Sequence, residues 1–403
     1  MYDAIVVGAR CAGSPTAMLL ARKGHQVLLV DRAVFPRDTL STHFIRPSGV
    51  AQLKRWGLLE RVVASGCPAI SRFKLDWGDL SLLGTPPPRD DVADSYAPRR
   101  TLLDKLLVDA AVAAGAELCE GFAVHDLLWN GDRVTGVRGQ TKRGAVVTEN
   151  AHLVIGADGR HSTVARAVRA PAYLAVPPLG CAYYTYWSGI ELDGFEGYFP
   201  DRRVIILFPT NDGLVCSFIE WPSTEFYTVR RDVAGNVTTM MALLPRLAER
   251  MYAAKQEERF QGTADLPNFF RKPYGPGWAL VGDAGYHKDP LPALGISDAF
   301  RDAELLVEAI DAGMAGWCSL EVALAEYERR RNEIAMPLYE NACRGARLEP
   351  TSPETTGLVA ALQGNQVDTD RFVGAFVGTV PREEFFAPEN VQRILDGVDR
   401  SAA

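Results

Sequence analysis

Gly8-Ala9-Arg10-Cys11-Ala12-Gly13, Asp31, Ala157-Asp158-Gly159 and Gly282-Asp283 have the residue types and spacing that hold a nucleotide. Gly8 permits a tight turn and Gly13 a close approach of helix to strand, while the N–H groups that open the helix can receive a pyrophosphate. Asp31 stands 23 positions beyond Gly8, close to the ~20 residues at which an acid meets the ribose hydroxyls of an adenosine. Arg10 occupies the place of the usual middle glycine. Its side chain suits the turn if φ is negative and Cβ points outward, and the guanidinium could then curl back over the phosphates. The competing reading is a plain glycine turn that binds nothing.

These residues need particular elements behind them. Ala4-Ile5-Val6-Val7 is a continuous apolar run of the kind a buried parallel strand requires, and the glycine loop follows directly. A helix opening at Ser14-Pro15-Thr16 and ending at Gly24, then the strand Gln26–Val30 closing on Asp31, completes the order strand, loop, helix, strand, acid. Leu153-Val154-Ile155 and Trp278-Ala279-Leu280-Val281 are further buried strands that run into Gly-Ala-Asp-Gly and Gly-Asp, the second followed by a helix expected from near Ser297. Three strands thus deliver glycine and aspartate at their carboxyl ends, where open α/β sheets bind ligands. The second and third turns also read as ordinary helix caps or glycine-proline loops.

Composition bounds the remaining choices. A chain of 403 residues with 47% hydrophobic content can build a sizeable core. Its net charge of -7 disfavours a general nucleic-acid binder. Seven scattered cysteines without CxxC or histidine spacing point to a reduced, cytoplasmic protein without a structural metal. No run of about 18 apolar residues suggests a membrane span, and no leader is evident ahead of the first strand.

The sequence resembles the para-hydroxybenzoate hydroxylase-like flavoproteins, a superfamily of FAD-dependent monooxygenases that also includes geranylgeranyl reductases and flavin-dependent halogenases. GARCAG is similar to its N-terminal loop, GADGRHSTVAR to its DG motif and GDAGYHKDPLPALGISDAFRDAELL to its GD motif, with Pro290, Gly295 and Asp302 at the family spacing. Supporting echoes are Arg99-Arg100-Thr101-Leu102-Leu103-Asp104 and Tyr327-Glu328-Arg329-Arg330-Arg331, so the likeness covers roughly residues 1 to 345. The resemblance implies an α/β fold: a Rossmann-like FAD-binding domain with an inserted antiparallel β-sheet substrate domain and a helical C-terminal tail. It also implies FAD as cofactor, NADH or NADPH as reductant and a small-molecule substrate. By the same resemblance Asp31 and Arg32 would lie at the adenosine ribose, and Gly8, Arg10, Ala12, Gly13 and Ser14 at the pyrophosphate. Arg100 would reach the ribose or pyrophosphate, and Gly282 and Asp283 the ribityl chain. Asp158 and Gly159 would border both the FAD cleft and the nicotinamide path, with Pro290, Gly295 and Ile296 beside the flavin ring. A helix N-terminus there would stabilise negative charge on the reduced ring. Gly285, Tyr286, Ala293 and Ser297 depart from the usual motif, so the substrate class does not carry over.

Between these motifs, aromatic and β-branched runs at 181–187, 197–199, 204–208 and 214–221, separated by turns such as Thr210-Asn211-Asp212-Gly213, read as an antiparallel sheet. Its rings either line a pocket or simply fill a core. The expected division is 1–70, 96–170 and 271–345 for the FAD-binding part, 71–95 for a hairpin, 171–270 for the substrate sheet and 346–403 for the tail, which shows capping signals at 351–354, 368–370 and 388–390. His43 is the candidate catalytic residue, as a near-neutral proton relay or substrate-orienting group, against the commoner structural histidine. The expected activity is oxygenation of a small aromatic or polycyclic compound. An alkene reductase, a halogenase and a non-catalytic flavin-binding protein are the alternatives, the halogenase disfavoured because Glu220-Trp221-Pro222 is not the tryptophan-rich WxWxIP signature.

Overall fold

The computed structural model describes residues 1–401, with side chains to residue 397. Strands Tyr2–Val7, Val27–Asp31, Glu117–Glu120, Val146–Gly156 and Trp278–Leu280 pair in parallel, with Tyr2–Val7 between Val27–Asp31 and Val146–Gly156. Alternation divides their side chains between two layers. Val6, Leu29 and Ile155 pack toward the helices Gly13–Arg22, Arg100–Ala113 and Gly295–Met314. Ile5, Leu28 and Val154 face Phe122, Val134 and Val137 of an antiparallel excursion built from Phe122–Asn130, Arg133–Thr141 and the start of Val146–Gly156.

A second sheet stands over the carboxyl ends of the first. Its strands run in the order Lys255–Gln256, Gly180–Ser188, Val215–Pro222, Val204–Pro209, Phe195–Tyr198, Phe73–Asp76, Ser81–Gly84. The hairpin 73–84 joins through a parallel seam in which Phe195 is the register partner of Phe73. One face carries Tyr184, Tyr186, Ile206, Phe208 and Phe218, which pack with Phe44, Leu291 and Val377. The other carries Tyr183, Ile205, Leu207, Ile219 and Trp221, covered by three short helices, Phe226–Arg231, Val233–Met241 and Pro245–Ala253. The aromatic strands therefore serve both uses left open by the sequence, one on each face. A small sheet of Ala172–Val176, Asn268–Arg271 and Tyr286–His287 ties the GD segment to the chain that flanks the large sheet.

The C-terminal helices wrap this junction. Leu320–Gly345 packs on Gly295–Met314, and Pro353–Leu362 is capped by Ser352 Oγ on the N–H of Thr355 at 3.2 Å. The next helix, Gln366–Val377, starts earlier than the acid-rich 368–370 signal implied, because Asn365 Oδ1 accepts the Asp368 N–H at 3.1 Å. Asp368 itself is buried and takes Arg393 at 2.6 and 2.9 Å. Helices Arg382–Phe385 and Pro388–Ser401 complete the tail, whose last two residues lie outside the described ones. Among the described residues no helix is long and apolar enough to cross a membrane.

Candidate active site

The three glycine-acid turns meet. Gly8 has φ 103°, and a Cβ there would lie 2.5 Å from the Ala157 carbonyl oxygen, while one on Gly13 would overlap the Gly8 carbonyl. Gly282 has φ 61°, and its added Cβ would come within 2.8 Å of Ala12 Cβ. Only glycine suits these three contacts. Asp31 closes the first turn, accepting the Ala9 N–H through Oδ2 and the Ala33 N–H through Oδ1, both at 2.7 Å. Each carboxylate oxygen keeps a lone pair for a ribose hydroxyl. Arg32 is exposed beside it. Ser14 is fully buried and donates to the Ala9 carbonyl at 2.9 Å, while the helix Gly13–Arg22 that it opens has no side-chain cap.

Arg10 has found a partner that the sequence did not disclose. Its Nη1 lies 2.5 Å from Asp104 Oδ2, and Arg100 grips the same carboxylate through Nε and Nη2 at 3.0 and 3.1 Å. The guanidinium therefore rests on the helix Arg100–Ala113 and is not folded back over the turn, which leaves the seat of the loop clear. Arg100, expected to reach the nucleotide directly, is buried on Asp104. Two cations on one acid leave the rim of the loop net positive, which suits a diphosphate. Cys11, beside them, is pushed up to about 12 by burial, so it is a thiol and not a nucleophile.

Asp158 Oδ2 accepts the Thr163 N–H at 2.6 Å, so the acid does cap the short helix Thr163–Ala167. Its Oδ1, however, is buried without a partner, and desolvation raises its pKa against the pull of the helix N–H groups. Gly159 follows with φ 80°. Asp283 is half-buried, makes no hydrogen bond among the described residues, and lies where both Arg100 and Lys288 feel its charge. The GD helix begins at Gly295, two residues before Ser297, so Gly295 and Ile296 form its uncapped first turn; a Cβ on Gly295 would meet nothing within 4 Å. Ser297 Oγ instead accepts the Arg46 N–H at 3.2 Å. Gly285, another departure from the family motif, makes room for buried Arg331, whose Nη1 a Cβ would approach to 3.0 Å. Tyr286 stacks on Phe270 at 4.7 Å.

The glycine cradle, the acid closing the second strand, two uncapped helix N-termini and the positive rim together fit an adenine-flavin dinucleotide.

Beyond the GD loop is an apolar cavity with about 20 Å³ open to a water-sized sphere, room for about one water. The inner face of the large sheet, the loop Pro290–Ala293, residues 42–46 and the helix Gln366–Val377 enclose it, and Arg46 is the only charged residue among its walls. His43 is a neighbour of this wall but does not titrate near neutrality, as the sequence reading assumed. It is 1% exposed, with Nδ1 2.9 Å from the Ala97 carbonyl and Nε2 2.8 Å from the Tyr186 hydroxyl. Burial and the Arg99 charge push it down to about 3. A neutral ring thus donates through Nδ1 and accepts from Tyr186, holding two segments together. Sequence reasoning also missed Arg46, Asp104, Glu220 and Asp289, each of which acts through a partner far away in the chain.

A parallel sheet with a glycine-acid turn at three strand ends, roofed by an antiparallel sheet, defines an α/β flavin-dependent oxidoreductase. The chain belongs to the FAD binding domain family, which matches residues 1–342, within the para-hydroxybenzoate hydroxylase-like superfamily. It is 29% identical to a menaquinone reductase of Mycolicibacterium smegmatis over 336 residues, covering 77% of this chain and 76% of that protein. It is 25% identical to 6-methylpretetramide 4-monooxygenase of Streptomyces rimosus over 382 residues, covering 89% and 86%. The fold is shared with the flavin-dependent brominase Bmp2 at a TM-score of 0.81 and 20% identity, with 99% of both chains covered.

Proposed function

We propose that the protein is an FAD-dependent monooxygenase that uses NADH or NADPH and dioxygen to oxygenate a small aromatic or polycyclic compound. The observation that carries this reading is the apolar enclosure beside the GD loop, walled by six phenylalanines, Phe44, Phe73, Phe195, Phe208, Phe218 and Phe376, whose rings must part to admit a planar compound because the space between them holds about one water. Rings of this kind stack on a planar substrate and exclude water. The similarity to 6-methylpretetramide 4-monooxygenase over most of both chains supports it.

Bound FAD supplies the redox chemistry, accepting hydride and activating oxygen. The protein's residues bind, orient and keep dry. Asp31 takes the ribose, the turn 8–14 with its positive rim takes the diphosphate, and Asp283 takes a ribityl hydroxyl. The first turn of the GD helix favours negative charge on the ring beside it. His43 and Tyr186 fix the loop 42–46 against the sheet and move no proton at neutral pH. The free cysteines, Cys11 to Cys343, accord with a cytoplasmic setting.

The likeness to the menaquinone reductase favours a second reading, a flavin-dependent reductase, for which we propose an alkene as substrate. Purified protein loaded with FAD separates the two: a monooxygenase consumes NAD(P)H and places one atom of ¹⁸O₂ in the product of an aromatic substrate. A reductase saturates a polyprenyl double bond without oxygen. Protein that stays colourless after incubation with FAD sinks both.

A further inference from the structure

We infer that Lys288 is a positioning residue for the flavin: by neutralising Asp298 in the first turn of the GD helix, it keeps that helix end positive toward the ring and so helps the cofactor accept electrons. The inference rests on the reading in which the GD turn and helix hold FAD. Lys288 lies on the loop between Gly282-Asp283 and the helix Gly295–Met314, and it is 8% exposed. Its Nζ forms an ion pair with Asp298 Oδ2 and stands 5.1 Å from the centroid of the Tyr286 ring.

Asp298 is one of four charged side chains packed together. Arg301 Nη1 donates to Asp298 Oδ1 at 2.6 Å, and Arg301 Nη2 donates to Asp302 Oδ1 at 2.8 Å and to the Tyr286 hydroxyl at 2.6 Å. Two cations thus face two acids, and loss of the Lys288 charge leaves the group with one negative charge in excess. With little water to screen it, that excess acts strongly on neighbouring charge. It falls on the helix end that favours an anionic ring.

Gly282 fixes where the group stands relative to the cleft. A Cβ there would lie 2.8 Å from Ala12 Cβ and 3.7 Å from Ala299 Cβ, so the residue after Asp298 adjoins both nucleotide turns. Burial, with the charges of Arg301 and Arg46, pushes Lys288 down to about 7 against the pull of Asp302 and Asp283. Its neighbours in the loop turn elsewhere: His287 Nδ1 donates to the Pro267 carbonyl, and Asp289 meets Glu220.

Reduction of FAD by NADH or NADPH moves one hydride, two electrons with a proton, from the nicotinamide, which leaves oxidised, and adds one negative charge to the ring. Fixed charges in a dry site weight that step. The bland account makes Lys288 a staple between loop and helix, which stabilises the fold and leaves the flavin potential alone. There the two accounts part.

The midpoint potential of the FAD-loaded protein, read by redox titration of the flavin absorbance, decides between them. At about pH 6, where Lys288 holds its proton, Lys288→Met should move the balance of oxidised and reduced flavin about tenfold toward oxidised, a fall of about 30 mV for two electrons. Lys288→Arg should recover most of that fall, and so should Lys288→Met combined with Asp298→Asn, which removes the acid along with the cation. The gap between wild type and Lys288→Met should close as pH rises past about 7, because the wild-type ammonium is then lost. A potential unchanged in Lys288→Met, or a fall that neither Lys288→Arg nor the double variant reverses, overturns the inference and leaves the flavin assignment standing. If Lys288→Met does not fold, the wild type decides alone. Its potential should fall more steeply with pH just above about 7 than below it, and a straight line overturns the inference. Protein that takes up no FAD overturns the assignment of the cleft, and this inference with it.

Discussion

Glu220 is a fully buried acid on the same sheet face as Phe218, and the group it meets is another acid, Asp289 of the GD loop. Both Glu220 oxygens and Asp289 Oδ2 are buried without a donor, so a proton must lie between the two carboxyls. Burial and the neighbouring acid raise Glu220 well above the usual range, and burial raises Asp289 to about 6. Such groups hold protons more tightly in the native state than in the unfolded chain. Their contribution is therefore intact below about pH 4 and is lost as pH rises through about 6 for Asp289, and higher still for Glu220. Glu220→Gln keeps the shape and cannot ionise. We expect it to be more stable than the parent at pH 8 by on the order of 2 kcal/mol, with the difference shrinking toward pH 5, as read by thermal melts across pH. A difference independent of pH refutes the shared proton. This pair also shows where sequence reading stops at the residue scale. Gly8, Gly13 and Asp31 were legible because turn, helix and acid adjoin in the chain. Arg10 and Asp104 are separated by 94 positions, and no spacing rule joins them.

The helix Gln366–Val377 shows what one element adds. Its N-terminal end packs on the hairpin strand Ser81–Gly84, and its C-terminal end brings Phe376 and Val377 to the cavity. Phe376 packs against Phe195 with ring centroids 5.8 Å apart and planes tilted by 58°, and accepts Arg46 on its carbonyl. Phe376→Ala should retain FAD but admit water to the chamber. We expect a rise of about tenfold in substrate KM, equivalent to ~1.4 kcal/mol, with more of the NAD(P)H consumed ending as hydrogen peroxide. Tight coupling with unchanged KM would show that this helix is only a buttress. The existence of this helix was legible; its role was not. Capping residues and apolar spacing are local, whereas the face a tail helix covers depends on surfaces built hundreds of residues earlier. The same reason hid the helices 226–253 behind the aromatic strands: alternation in Tyr183, Tyr184 and Ile205, Ile206 marks two buried faces without saying what covers either.

At the scale of the whole molecule, the parallel sheet draws its strands from residues near 5, 29, 118, 154 and 279, and the sheet above it interrupts that sequence. Arg46 touches the GD loop and the tail helix Gln366–Val377 together, and Glu220 of the large sheet meets Asp289 of the GD loop. Neither layer has a self-contained stretch of chain, so flavin release and loss of secondary structure should coincide in one thermal transition, followed by flavin fluorescence and far-ultraviolet circular dichroism. Two separated midpoints would show that the sheet unfolds on its own.

The seam between Phe73–Asp76 and Phe195–Tyr198 also orders events on the ribosome. Its two sides lie roughly 120 residues apart, so the earlier hairpin leaves the exit tunnel roughly 6 to 24 s before its mate does. Throughout that interval Phe73 and Leu75 sit on an unsatisfied sheet margin, which makes this short ribbon the place where nascent chains would stick to one another and a trigger-type chaperone would bind.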